Sequence, residues 1–112
     1  MPSWSYITSL DEFNSLVQET ASTGIPMVLD MTATWCPPCK RIGPIFEAMA
    51  DEPDYLGKVM FRKLDVDETR EVTNQLEVKA YPTFLMFKNG EEVERFAGAS
   101  EEKLRAMVDN HK

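Results

Sequence analysis

The sequence predicts an α/β protein in which a central mixed sheet of about five strands is flanked by four helices. Two observations carry that reading. Helical apolar stripes alternate with short β-branched or aromatic runs, so the early strands are joined by helical crossovers. The last two strands are instead joined by Asn89-Gly90, a two-residue hairpin signal. At 112 residues the chain is read as one domain, residues 1–112, without repeat, low-complexity tract or linker.

Trp4 to Ile7 is an aromatic and β-branched stretch suited to an edge strand. Ser9-Leu10-Asp11-Glu12 matches a capping box, with Ser9 accepting from the Glu12 backbone and Glu12 reaching back. Leu10, Phe13, Leu16 and Val17 make an apolar helical face that ends near Thr23-Gly24. Pro26 to Ala33 reads as a buried strand with a single carboxylate, Asp30, in its middle. Asp30 either faces outward or is buried, and burial would raise its pKa and suit it to accept a proton near a thiol.

Cys36 and Cys39 are the two cysteines, set in Trp35-Cys36-Pro37-Pro38-Cys39-Lys40 at a helix start. Ile42, Ile45, Phe46 and Met49 continue that helix as a stripe, and Pro44 inside it predicts a kink or two short helical pieces. Residues 51–57 carry both Pro53 and Gly57 and read as a surface loop. Val59 to Val66 is a strand with Val59, Phe61 and Leu64 inward and Lys63, a residue type usually solvated, close to its end. Asp67 is expected to cap a short helix through Leu76. Pro82 to Phe87 and Val93 to Phe96 are the hairpin strands. Gly98 and Ser100 lead to a last helix with Leu104, Met107 and Val108 inward, and the tail from Asn110 is expected to fray, with His111 solvated.

The cysteine spacing places two thiols on adjacent sites of one helical turn, within bridging distance. A loop so short is stabilised by only about 2 kcal/mol in the chain-entropy picture, so an inert staple explains the pair poorly. A zinc site needs four ligands, and His111 is the one histidine, so no metal is expected. Orphan N–H groups and the helix dipole at this position favour a thiolate, which fits redox turnover.

The net charge of −7 argues against nucleic acid or an anionic membrane as partner. No apolar run approaches the roughly 18 residues of a membrane span, and the start has no secretory signal pattern, so a reducing, cytoplasmic setting is expected.

Val28-Leu29-Asp30, Ala33-Thr34-Trp35-Cys36, Pro38-Cys39-Lys40, Pro44, Lys63-Leu64-Asp65-Val66-Asp67, Tyr81-Pro82-Thr83-Phe84, Phe87-Lys88-Asn89-Gly90 and Gly98 stand in the order of the thioredoxin family's motifs. The chain resembles that family over essentially its whole length, and most closely its eukaryotic cytosolic type, with Cys-Pro-Pro-Cys as a variant active-site sequence. The resemblance implies the thioredoxin fold and the reduction of protein disulfides. It implies Cys36 as the exposed nucleophile, Cys39 as the resolving thiol, Asp30 as a buried carboxylate taking the Cys39 proton, Lys63 as its tuner and Pro82 as a cis-proline. Trp35, Pro37, Pro38, Tyr81, Pro82, Ala97 and Gly98 become the expected target-binding surface.

No bound cofactor is implied: the redox group is the Cys36–Cys39 pair, and NADPH enters indirectly through thioredoxin reductase. The implied partners are that reductase and disulfide-containing proteins such as peroxiredoxins or reductases, with the chain a monomer. Pro37 stands where most of the family carry Gly, and Tyr81 is bulkier than the usual residue before the cis-proline. Pro-Pro between the cysteines is also similar to tryparedoxin and nucleoredoxin relatives, which would use another thiol reductant. A redox-silent binding module on the same fold would need none of the chemistry of Asp30, Cys36, Cys39 and Pro82.

Overall fold

The computed structural model describes residues 2–112, in the order β1 (Trp4–Tyr6), α1 (Leu10–Thr23), β2 (Met27–Thr32), α2 (Pro37–Met49), β3 (Met60–Asp65), α3 (Arg70–Leu76), β4 (Thr83–Lys88), β5 (Glu91–Ala97) and α4 (Glu101–His111). The five strands lie in the order β1-β3-β2-β4-β5. Strands β1, β3 and β2 run parallel, and β4 and β5 are antiparallel to their neighbours. This is the thioredoxin fold, with the mixed sheet that the alternation of helix and strand patterns implies.

The sheet divides two apolar layers. On one face Phe13 of α1 and Val72 of α3 pack with Leu29, Met31 and Leu85. On the other, Ile42, Phe46 and Met49 of α2 and Leu104, Met107 and Val108 of α4 pack with Val28, Phe61 and Phe84. The Phe46 ring lies 5.1 Å from Phe61 and 5.8 Å from Phe84, centroid to centroid. Strands β2 and β4 are central and covered on both sides, which is why their sequences read as nearly continuous apolar runs.

Local chemistry sets the element ends. Ser9 caps α1 by accepting from the Glu12 N–H, but the Glu12 carboxylate accepts from the N–H of Thr8, one residue before the cap, not from Ser9. Gly24 ends the helix at φ 76°, a left-handed conformation that suits glycine. Pro37 and Pro38 open α2 where a helix needs no N–H donor, and the helix runs unbroken through Pro44, so the two-piece reading does not hold. Asn89 and Gly90 both have positive φ, as a two-residue hairpin requires.

Several expectations change. Thr69, not Asp67, precedes α3, because residues 66–69 form a turn in which the backbone N–H groups of Glu68 and Thr69 donate to the Asp65 carbonyl. Residues 51–58 turn at the surface, yet Tyr55 is buried against Phe61 and donates its hydroxyl to Asp109. Strand β5 is an exposed edge carrying Glu91, Glu92, Glu94 and Arg95, and only Phe96 turns inward to stack on Phe84. The tail is docked, not frayed. His111 is helical, its Nε2 lies 2.9 Å from Glu94, and its carbonyl accepts from Lys88. Among the described residues no helix is long and apolar enough to cross a membrane.

Candidate active site

The site forms where β2 ends and α2 begins. Cys36 is the N-cap of α2 and Cys39 lies in its first turn, and the two are joined as a disulfide with Cα atoms 5.3 Å apart. With prolines at the first two helical positions, the first N–H the helix can offer belongs to Cys39, and it donates to the Cys36 sulfur at 3.3 Å. From across the molecule the Tyr81 carbonyl oxygen comes within 3.6 Å of the same sulfur. The Tyr81–Pro82 bond is cis, Pro82 is buried, and its carbonyl accepts from the Gly98 N–H at 2.9 Å.

Cys36 is only 5% exposed in this disulfide form, so the expectation of an exposed thiol is corrected. Its sulfur is tucked under the 81–82 turn. Exposure belongs instead to Trp35, at 60%. The Trp35 indole N–H donates to Asp67 at 2.7 Å and the ring stands edge-on to Tyr81, 5.8 Å between centroids. Burial and the Asp67 charge raise the Tyr81 hydroxyl above its ordinary pKa. Pro37 is exposed and Pro38 half-buried beside the cysteines, while Ala97 and Gly98 reach the same end of the sheet from the close of β5.

Two buried charged groups lie on the adjoining strands β2 and β3. Asp30 is fully buried in β2, and among the described residues neither carboxylate oxygen has a protein hydrogen-bond partner. Burial pushes it up to about 7, against a smaller lowering by Lys63 and a further rise from Glu47. Lys63 lies opposite Asp30 in the β2–β3 register. It too is buried, contrary to the usual solvated lysine, and its ammonium contacts Glu47 at 2.7 Å. A cleft of about 410 Å³ opens beside Lys63 and Glu47, lined in part by Cys39, Gly43, Thr32 and Tyr6 but not by Asp30. Among the described residues no three His, Cys, Asp or Glu side chains converge as metal ligands would.

Sequence reasoning brought out Asp30, Cys36, Cys39, Lys63, Tyr81 and Pro82, and the fold gathers them at one end of the sheet. It missed Glu47 and Asp67. A signal for Glu47 was present, since Cys39, Gly43 and Glu47 recur every four residues and share one face of α2.

A bridged Cys-X-X-Cys pair at the start of a helix, at the ends of central sheet strands and beside a cis-proline, defines a dithiol–disulfide oxidoreductase. The chain belongs to the thioredoxin family, whose family model matches residues 5–110. Thioredoxin of Ictalurus punctatus is 38% identical over 107 residues, covering 96% of this chain and 97% of that protein. Two solved thioredoxins are each 39% identical to this chain. That of Malassezia sympodialis has a TM-score of 0.89 and covers 99% of this chain and 92% of its own. That of Fasciola hepatica has a TM-score of 0.88, with 96% and 98% covered. The protein is thus a protein-disulfide oxidoreductase whose redox group is the Cys36–Cys39 pair.

Proposed function

We propose that this chain works as a thioredoxin of the eukaryotic cytosolic type, with Cys-Pro-Pro-Cys as its active-site variant, reducing protein disulfides and drawing electrons from NADPH through thioredoxin reductase. The observation that carries the assignment of roles is the asymmetry of the two sulfurs. Cys36 Sγ receives the Cys39 N–H and faces the Tyr81 carbonyl, whereas Cys39 lies inside the helix, 3% exposed, at the cleft behind the pair.

In the reduced protein the Cys36 thiolate attacks one sulfur of a target disulfide, forming a mixed disulfide and releasing a target thiolate that takes up a proton. Cys39 then gives its proton to Asp30 and attacks Cys36 Sγ. The second target thiolate leaves, and the Cys36–Cys39 disulfide closes with two electrons passed to the target. Lys63 tunes the affinity of Asp30 for that proton. Trp35, Pro37, Pro38, Tyr81, Pro82, Ala97 and Gly98 receive the target, whose backbone pairs at the Tyr81–Pro82 turn as an added strand.

The expected setting is cytoplasmic, with the chain acting as a one-domain monomer over residues 1–112. Peroxiredoxins are among the targets proposed. A structure 30% identical to this chain comes from work on thiol resolution in a yeast mitochondrial 1-Cys peroxiredoxin via glutathione and thioredoxin systems, which supports that target class. The test is insulin reduction driven by NADPH and thioredoxin reductase, run beside glutathione and its reductase. Turnover with the first system and little with the second is expected. The reverse would assign the chain to a carrier of the tryparedoxin or nucleoredoxin kind, and no turnover with either would leave a binding module.

A further inference from the structure

Asp30 and Lys63 face each other across β2 and β3, and both are buried, yet the lysine charge is committed elsewhere. Lys63 Nζ sits 2.7 Å from Glu47 Oε2. It also lies 5.3 Å from the ring centre of Trp4 and 5.6 Å from that of Tyr6, both supplied by β1. Helix α2 makes room for it at Gly43, where an added Cβ would stand 3.3 Å from Nζ. Glycine in a helix interior costs about 1 kcal/mol relative to alanine. Here the missing side chain is the space the ammonium occupies. Asp30, by contrast, has no protein hydrogen-bond partner for either oxygen among the described residues.

We propose that Glu47 is a positioning residue for the resolving step: with the Trp4 and Tyr6 rings it holds the Lys63 ammonium off Asp30, leaving Asp30 free to take the Cys39 proton. This rests on the reading of Asp30 as that acceptor. A closed Asp30–Lys63 ion pair would hold the carboxylate in its charged form and make it a poor base, since an opposite charge at contact lowers a carboxyl pKa by about 1–3 units. A base works best when its pKa lies near the operating pH. The charges that act on this acceptor are those of Lys63 from β3 and Glu47 from α2. Cys39, Tyr6, Lys40 and Asp65 line the cleft that Lys63 and Glu47 also border. Of the described residues in contact with the ammonium, Glu47 alone carries the opposite charge.

The proton and electrons balance without further reactants. The Cys39 S–H bond breaks, its proton goes to Asp30, and its electron pair forms the new bond to Cys36 while the target thiolate leaves.

The test titrates the Asp30 carboxyl carbon by NMR in the oxidised protein, in Glu47→Gln, in Lys63→Met and in the double variant. Glu47→Gln is expected to lower the Asp30 midpoint by roughly one pH unit, as the freed ammonium turns to Asp30. In the Lys63→Met background the same change should shift it by less than about a third of that, because residues acting through one another are not additive. An unmoved midpoint, or an equal shift without Lys63, would overturn the proposal. A stopped-flow measurement on the Cys36–thionitrobenzoate mixed disulfide separates the underlying reading. Its acid limb should follow the Asp30 midpoint downward in Glu47→Gln. If the midpoint moves and the limb does not, Glu47 still positions Lys63, and Asp30 is not the acceptor.

Discussion

The Trp35 indole N–H donates to the Asp67 carboxylate at 2.7 Å, joining positions 32 residues apart across the mouth of the active site. The bond holds a largely exposed aromatic ring upright beside Tyr81, on the surface proposed to receive the target. Asp67→Ala removes the anchor from a surface pair, so stability should change by no more than about 1 kcal/mol. The KM for a protein disulfide should rise roughly three- to tenfold, as expected for about 0.5–1.5 kcal/mol of lost ordering. kcat should move less. Steady-state insulin reduction checks both, and an unchanged KM would mean that the ring is held by packing alone.

Pro37 and Pro38 leave the Cys39 N–H as the one local backbone donor to the Cys36 sulfur. Pro37→Gly restores a second donor at the helix start. The Cys36 thiol pKa should fall, by roughly half to one pH unit for a hydrogen bond to a partly solvated charged group. The same change should cost about 1 kcal/mol of stability, since proline limits the unfolded chain and suits the first helical position. Thiolate absorbance titration measures the first effect and chemical denaturation the second. A rise in thiol pKa would contradict the donor argument.

Asp30 provides a prediction with a definite sign. Burial raises its pKa from an ordinary 3.8 to about 7 in the folded protein. A carboxyl whose folded pKa is raised stabilises the fold fully below its unfolded pKa, and that contribution is lost as pH rises through the folded value. The oxidised protein should therefore lose stability between about pH 4 and pH 7, by up to about 4 kcal/mol at 1.4 kcal/mol per unit. Asp30→Asn carries no charge to bury, and the difference between the two stability profiles isolates this slope. Parallel profiles would show that Asp30 does not titrate in that window.

The aromatic layer beneath the site tests the packing. Phe46 is fully buried between Phe61 and Phe84. Phe46→Ala should cost about 3–5 kcal/mol, the usual range for emptying such a site. Denaturant unfolding reads this directly, and a loss under about 1 kcal/mol would mean that the layer collapses onto the gap.

Features written in neighbouring residues were legible beforehand. The Ser9 cap, the Ile42-Phe46-Met49 stripe, the Asn89-Gly90 turn and the reach of Cys36 to Cys39 each depend on spacings that backbone geometry fixes. Features made by distant segments were not. The burial of Lys63 needs Glu47 and β1, the anchor on Trp35 needs Asp67, and the inward turn of Tyr55 needs Asp109 and Phe61. The exposure of β5 follows from its place at the sheet edge, which its own residues signal only weakly through their charges. The docked tail depends on contacts of Glu94 and Lys88 with His111. Asp30 stood between: its position in an apolar run was plain, and only the covering helices decide that it faces inward.

The division of labour between the two sulfurs has a direct test. Cys39→Ser and Cys36→Ser are each reduced, incubated with a disulfide-bonded target such as insulin, quenched with acid, and analysed by non-reducing electrophoresis and mass spectrometry. Cys39→Ser should accumulate a mixed disulfide through Cys36, because attack proceeds and release does not, and Cys36→Ser should accumulate almost none. A mixed disulfide through Cys39 in the Cys36→Ser protein, with none in its counterpart, would contradict the assignment of attack to Cys36 and release to Cys39.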